Sequence, residues 1–127
     1  MTQNDSKCRG AGIDVRPSPD HTTVLVSGEH DISSAPELET TLRELLLAGT
    51  DLLVDLSSLT FADSSVLRVL VQESEAAAEN GCGFVVLVPE IPASAAVRRV
   101  IQLTQLEHAI AIYSSRDRAT AHLQRIR

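Results

Sequence analysis

The chain has 127 residues, which suits a single domain, and 43% of them are apolar, enough to build a core. Its formal charge of −6 and its three aromatic residues argue against nonspecific binding to nucleic acid or to an anionic membrane. The charge is uneven, since residues 1–90 carry a net −10 and residues 91–127 a net +4. For most of these charges we favour a solvated acidic surface, whereas a partner that meets the first two-thirds of the chain is expected to carry basic groups.

The two cysteines, Cys8 and Cys82, have neither metal-binding nor redox spacing and fit a reduced compartment. No signal peptide is visible, and the longest apolar run, residues 84–88, is too short to cross a bilayer. We therefore expect a cytoplasmic protein without a membrane segment.

The chain opens with a polar stretch that lacks periodicity, and we expect residues 1–11 to form a flexible leader before one domain at 12–127. Alternating polarity predicts a first strand at 13–16, and the β-branched run at 22–27 predicts a second. The segment between them is rich in proline and typical of a turn, so the two strands should form a hairpin.

A first helix is predicted to begin at Ser34, with Ser34 capping the free amides, Glu37 reaching back to the cap, and Pro36 in the first turn. Gly49 ends this helix. Further along the chain, apolar runs predict three more strands and helical spacing predicts three more helices: strands at 51–56, 84–88 and 109–113, and helices at 64–80, from 92 onward, and from 114 to 126.

The predicted fold class is α/β. The element order β-β-α-β-α-β-α-β-α implies a mixed, mostly parallel sheet with right-handed crossovers and helices mainly on one side. The apolar centre of 51–56 is expected where both faces of a strand are covered, and the wholly apolar run at 84–88 predicts a strand near the centre of the sheet.

The sequence offers little for catalysis. It has no glycine-rich phosphate loop, no metal-ligand spacing, and no pair of carboxylates that the sequence fixes as an acid and a base. We therefore expect neither enzyme activity nor a metal or other cofactor. His30 lies beside Asp31 in a predicted loop, and we expect it to be solvated.

One corner stands apart, where the buried strand ends at Leu56 and a helix begins after a short loop at Asp63-Ser64-Ser65. Taken alone, this spacing favours simple capping of the helix by Asp63 or Ser64. A phosphate on Ser64 would be tolerated by the free amides and the helix macrodipole, whereas Asp63 beside it would repel the added charge. Ser64 as a catalytic nucleophile is disfavoured, because no Gly-x-Ser-x-Gly elbow surrounds it.

A family resemblance rests on three stretches: Gly28-Glu29-His30-Asp31 with Ala35-Pro36-Glu37-Leu38, Val54-Asp55-Leu56 with Phe61-Ala62-Asp63-Ser64-Ser65, and Val97-Arg98-Arg99-Val100 with Leu103-Thr104-Gln105-Leu106. Together they resemble the STAS domains of bacterial anti-sigma factor antagonists. The resemblance runs from about residue 13 to about residue 123, and its central stretch is fairly specific.

The resemblance implies a partner switch. In that family the unmodified antagonist binds an anti-sigma factor that is also a serine kinase, so that a sigma factor is released for transcription. The kinase phosphorylates the serine after the signature aspartate, which corresponds to Ser64 here, and a serine phosphatase reverses the step. The surface implied for the partner comprises Glu29, His30, Asp31, Asp63, Ser64, Ser65 and Val66.

The chain departs from the family pattern at three positions. Val66 and Gln105 stand where the family usually has glycine, and His30 stands where it usually has an apolar residue. Because glycine leaves room for close backbone approach, Val66 is expected to add a branched side chain near the docking corner. The site then either recognises a divergent kinase or has lost phosphorylation while it retains binding.

Two other functions stay open from the sequence. The domain can be the STAS subunit of a larger assembly, such as a stress-signalling or lipid-transport complex, which needs no dedicated kinase. It can also be a module for a small ligand or nucleotide, although the missing phosphate loop weighs against this. Copurification of a transporter or scaffold subunit would favour the first alternative over the antagonist. A melting temperature that depends on an added ligand would favour the second.

Overall fold

The computed structural model describes residues 11–125, so the predicted leader at 1–11 lies outside the described residues except for Ala11. Ala11 begins the first strand, β1 (Ala11–Pro17), which pairs antiparallel with β2 (Thr22–His30). In this hairpin Ile13 lies opposite Val26, on the face that the helices cover. The predicted hairpin is therefore present, with both strands longer than the polarity pattern indicated.

Beyond the hairpin, helices and strands mostly alternate. The helices are α1 (Ala35–Leu47), α2 (Ser64–Glu79), α3 (Ala95–Thr104) and α4 (Arg116–Arg125). The strands are β3 (Leu52–Asp55), β4 (Leu59–Ala62), β5 (Phe84–Leu87) and β6 (Ile112–Tyr113).

The strands form one mixed sheet in the order β1-β2-β3-β5-β6, with β4 added beside β2. All pairings after the first hairpin are parallel. The strand β5 has neighbours on both sides and four buried residues, as its apolar run predicted. The predicted α/β class and mostly parallel sheet are confirmed.

The strand β4 is an element that the sequence prediction missed. It has only four residues, of which Thr60 and Phe61 are exposed, so its pattern is typical of a loop. It forms because β2 has nine residues whereas β3 has four, which leaves the backbone of β2 from Gly28 to His30 without β3 as a neighbour. The strand β4 pairs there instead.

The chain between α3 and α4 is also less regular than predicted. The predicted strand at 109–113 is only the two residues of β6, and the turn before it, Leu106–His108, is a short 3-10 helix. Gln105 between α3 and this turn adopts a left-handed conformation with φ of 56°, which fits its correspondence to a family glycine.

The core lies on both faces of the sheet. Three helices, α1, α2 and α3, bury their apolar sides against one face in the larger cluster of side chains. On the other face α4 places Ala119 and Leu123 against Leu53, Val85 and Leu87. The prediction of helices mainly on one side is confirmed.

One ion pair fixes α2 against α1. The Glu73 side chain is fully buried on α2, and it accepts hydrogen bonds from Arg43 of α1, at 2.7 Å from Nε and 2.9 Å from Nη2. A buried carboxylate needs such a paired, two-point partner, because its desolvation is otherwise costly. The predicted site lies at the start of α2, and the Glu73–Arg43 pair holds the later part of the same helix against α1.

Candidate partner-binding site

The pairing of β4 with β2 brings the two predicted halves of the site together. Glu29 of β2 lies opposite Phe61 of β4, and His30 lies opposite Ala62. Both strands run in the same direction, so the loops that leave their carboxyl ends start from the same edge of the sheet. We name residues 29–33 and 61–65 together the Ser64 edge.

At the start of α2, Asp63 serves as the N-cap and Ser64 is the first helical residue. The Asp63 Oδ1 atom accepts a hydrogen bond from the Ser65 amide at 3.0 Å and another from the Ser65 hydroxyl. Asp63 therefore supplies the capping that the sequence left open between Asp63 and Ser64.

The two neighbouring serines differ in their accessibility. The Ser65 hydroxyl is engaged by Asp63, and its side chain is half-buried. Ser64 is exposed, and among the described residues its hydroxyl makes no hydrogen bond. Ser64 is thus the more available of the two hydroxyls at this corner.

The hydrogen bonds from Ser65 also fix the charge of Asp63. They lower the pKa of the Asp63 carboxyl, chiefly through the Ser65 hydroxyl, while partial burial and the negative charge of Asp31 act in the opposite direction. At neutral pH a carboxylate therefore stands directly beside Ser64.

A second aspartate on the same edge is held in the same way. The Asp31 Oδ1 atom accepts hydrogen bonds from the Ser33 amide at 2.9 Å and from the Ser33 hydroxyl at 2.6 Å. These bonds, the one from the hydroxyl foremost, lower the pKa of Asp31. Asp31 and Glu29 are exposed, so this part of the edge carries negative charge at neutral pH.

His30 is not the solvated loop residue that the sequence predicted, since only 1% of it is exposed. Its Nε2 atom lies 3.1 Å from the Gly12 carbonyl oxygen and 3.0 Å from that of Ser27. Because both atoms only accept, Nε2 carries the proton, and in the neutral ring Nδ1 accepts from the Ser34 hydroxyl at 3.0 Å. His30 thus links the loop after β2 to the hairpin through these hydrogen bonds. Its ring is buried and does not contribute to the exposed surface.

The same hydrogen bonds explain why the predicted side-chain cap of α1 is wrong. Ser34 occupies the N-cap position of α1, but its side chain makes no capping bond. Its hydroxyl instead lies 3.0 Å from His30 Nδ1 and accepts from the Asp31 amide at 3.1 Å. The predicted position of Pro36 in the first turn is correct.

The Val66 side chain is 1% exposed and belongs to the core. The expectation that it adds a branched side chain to the docking corner is therefore wrong, because the helix turns that position inward. At this position the side chain faces the helix-covered side of the sheet, and the hydroxyl of Ser64 faces outward. Of the residues predicted for the partner surface, Glu29, Asp31 and Ser64 are exposed, Asp63 and Ser65 are half-buried, and His30 and Val66 are buried.

Two apolar side chains that the sequence reasoning missed are exposed on the Ser64 edge. Ile32 is 73% exposed and Phe61 is 50% exposed. Ile32 stands between Asp31 and Ser33, and Phe61 stands between exposed Thr60 and buried Ala62, so no periodicity marked either residue as a surface group.

Asp55, in the central stretch of the family resemblance, has a structural role. Its Oδ1 atom accepts from the Ser57 amide at 2.9 Å, and its Oδ2 atom pairs with Arg116 at the start of α4. Asp55 therefore shapes the loop into β4 and ties it to the helix on the opposite face.

Among residues 11–125, no group of three or more His, Cys, Asp or Glu side chains is arranged to hold a metal ion. Over the same residues, no helix is long and apolar enough to cross a membrane. The chemistry that the Ser64 edge offers is thus that of an exposed hydroxyl, fixed carboxylates and two apolar side chains.

Comparison with known proteins places this arrangement in a family. The family model described as "Mlab, STAS domain" matches residues 13–113, most of the chain. The chain therefore belongs to the STAS domain family. No curated protein matches its sequence.

Solved structures agree with this assignment. An anti-sigma factor antagonist from Mycobacterium paratuberculosis is 30% identical, with 90% of this chain and 94% of that chain covered and a TM-score of 0.77. A substituted RsbS from Moorella thermoacetica is 24% identical over 90% of this chain and 96% of its own, with a TM-score of 0.68. The Bacillus cell fate determinant SpoIIAA in its phosphorylated form is 16% identical over 91% and 100%, with a TM-score of 0.64. The last two likenesses concern the fold.

Proposed function

We propose that this chain is an anti-sigma factor antagonist, which binds an anti-sigma factor with serine kinase activity and thereby releases a sigma factor. The observation that carries the proposal is the exposed Ser64 hydroxyl, unengaged among the described residues, at the first position of α2. The 30% identity to an anti-sigma factor antagonist over nearly the whole chain supports the same function.

In this proposal the Ser64 edge docks on the anti-sigma factor while Ser64 is unmodified. The exposed side chains of Ile32 and Phe61 supply apolar contact, and Glu29, Asp31 and Asp63 supply negative charge around it. An apolar centre with a charged rim is a common arrangement at protein interfaces. The partner is expected to meet it with basic groups, as the acidic first two-thirds of the chain indicate.

Phosphorylation of Ser64 ends the binding. The Ser64 hydroxyl oxygen attacks the γ-phosphorus of ATP, the new O–P bond forms as the bond to the leaving ADP breaks, and the hydroxyl proton is lost to the kinase or to water. The phosphate adds nearly two negative charges beside the ionised Asp63. A surface that fitted a small hydroxyl then meets a bulky dianion, whose desolvation is costly. A serine phosphatase restores the hydroxyl by hydrolysis.

We further propose that the chain acts by binding, without catalysis of its own and without a cofactor, in the cytoplasm. His30, the histidine beneath the Ser64 edge, is committed to Gly12, Ser27 and Ser34 and does not face Ser64 as a general base.

The experiment is copurification of the anti-sigma factor, followed by incubation with ATP and site mapping by mass spectrometry. Phosphate is expected on Ser64 and on no other serine, and Ser64→Ala should abolish it. Ser18→Ala is the matched control, because Ser18 is also exposed but lies in the β1–β2 turn at the opposite edge of the sheet. Phosphate on Ser58 or Ser65, or none with a kinase that demonstrably binds, would refute the assignment.

A second candidate function is that of a STAS subunit within a larger assembly. The description of the matching family model, "Mlab, STAS domain", favours it. This function uses the same exposed edge but needs no modification of Ser64. The same copurification separates the two, since an ATP-dependent kinase favours the antagonist and a transporter or scaffold subunit favours the assembly.

A further inference from the structure

One exposed cation lies a single helical turn from Ser64. Arg68 is the fourth residue after Ser64 on α2, and both are exposed, whereas Val66 and Leu67 between them are buried. Residues separated by four positions lie on the same helix face, with their Cβ atoms about 6 Å apart. Because side chains on a helix tilt toward its N-terminus, an arginine at position 68 has the reach and the direction to meet a group on Ser64.

Arg68 has no ion-pair partner among residues 11–125, unlike the arginines nearest to it in the sequence. It is the only basic residue between Arg43 and Arg98 in the sequence. Arg43 is paired with Glu73, and Arg98 with Glu90. Arg68 itself makes no ion pair with any residue in the range 11–125.

Among residues 11–125, two carboxylates lie on the loop side of Ser64. Asp63 caps α2 beside it, and Asp31 lies close enough to act on the Asp63 carboxyl. A phosphate on Ser64 is therefore repelled from the loop side of the corner. The direction left to it is along the outer face of α2, where Arg68 stands.

We propose that Arg68 is the internal counter-ion of the phosphate on Ser64 and holds it against the first turn of α2. The inference rests on the proposed phosphorylation of Ser64 and adds how the modified state is accommodated. A guanidinium presents its donors as a planar fork that fits two phosphate oxygens. The pair offsets the repulsion from Asp63, so that α2 stays formed while the docking surface changes.

The test builds phosphoserine into position 64 during synthesis of the full chain, so that no kinase is needed. The phosphate is titrated by ³¹P NMR in the native background and in Arg68→Gln. Without Arg68 the second pKa of the phosphate, near 6 in free phosphoserine, is expected to lie higher by roughly 0.3 pH unit. Arg68→Lys should fall between the two, because it keeps the charge but loses the fork.

The matched control is Arg99→Gln on α3. Arg99 is also exposed and makes no ion pair with residues 11–125, so its removal should leave the phosphate titration unchanged. Raising the salt to about 1 M should narrow the difference in phosphate pKa between the native background and Arg68→Gln, since salt screens an exposed pair. Identical titrations in the native background and Arg68→Gln overturn the pairing. Failure of a kinase to modify Ser64 would instead count against the proposed function and leave this result intact.

Discussion

Two turns on the Ser64 edge are built alike but present different side chains. In each, an aspartate accepts hydrogen bonds from both the amide and the hydroxyl of the serine two residues later: Asp31 from Ser33, and Asp63 from Ser65. The residue between the two partners points outward in both turns. It is Ile32 in the first turn and Ser64 in the second.

The two turns also differ in what they support. Asp63 directly precedes α2 and caps it, whereas Asp31 lies four residues before α1 and orders only the loop. One local motif thus displays an apolar side chain in one turn and a modifiable hydroxyl in the other. The first turn is expected to matter for docking, and the second for both docking and the stability of α2.

The largest expected effect comes from the side chain that the first turn displays. Replacing Ile32 with serine should weaken binding to the anti-sigma partner by roughly tenfold, because the burial of an isoleucine contributes more than about 1.4 kcal/mol at a packed interface. Isothermal titration measures this affinity. Leu47→Ser is the control, since Leu47 is 69% exposed at the far end of α1. Equal losses in both variants would show that Ile32 has no special part in docking.

A smaller effect is expected from the charge of the same turn. Asp31→Arg should slow association with the partner several-fold while the melting temperature stays nearly unchanged, since a charge at an interface rim acts mostly on the association rate. Stopped-flow mixing at two salt concentrations measures the rate. Asp20→Arg, exposed in the turn at the opposite edge, should have little effect. Unaltered binding in Asp31→Arg would remove this loop from the interface.

The second turn is expected to dominate stability. Asp63→Ala should lower the free energy of unfolding by about 1 kcal/mol, because it removes the side-chain cap of α2. Asp31→Ala should lower it less, since the loop it orders precedes α1 without capping it. Urea denaturation monitored by circular dichroism measures both. A larger loss in Asp31→Ala would reverse the roles of the two turns.

The smallest effect is the pH dependence of that cap. The pKa of Asp63 is lowered in the folded chain, so its contribution is fully present above the unfolded value of about 3.9 and is lost as the pH falls through the lower folded value. The stability difference between the native chain and Asp63→Asn should therefore stay constant above about pH 5 and change below pH 4. Denaturation midpoints at several pH values test this. A difference that changes between pH 6 and 8 would point to another titrating group.

The periodicity of the sequence was sufficient to predict most of the fold. Apolar runs such as residues 84–88 and helical spacing such as residues 64–80 report burial directly, and both elements are present within a few residues. The strand β4 was not predictable in this way. It forms because β2 is longer than β3, and the relative length of two strands that are distant in sequence is not visible in local periodicity.

The parts of the site that a local sequence motif determines were predictable. The exposure of individual side chains was not, because it depends on how the elements pack. The segments at 29–31 and 63–66 both lie at the carboxyl ends of parallel strands, because β4 pairs with β2. His30 and Val66 are buried instead of exposed, since the hairpin covers the first and the helix phase turns the second inward. Ile32 and Phe61 went unnoticed because exposure of an apolar residue has no signature in the sequence.

The most direct test of the switch at Ser64 compares the anti-sigma partner's affinity for the unmodified chain with its affinity for the chain that carries phosphoserine at position 64. Phosphorylation is expected to lower this affinity by at least about tenfold, with a melting temperature close to that of the unmodified chain, because the fold stays intact and only the docking surface changes. Equal affinity for both forms, with both folded, would contradict the switch at Ser64.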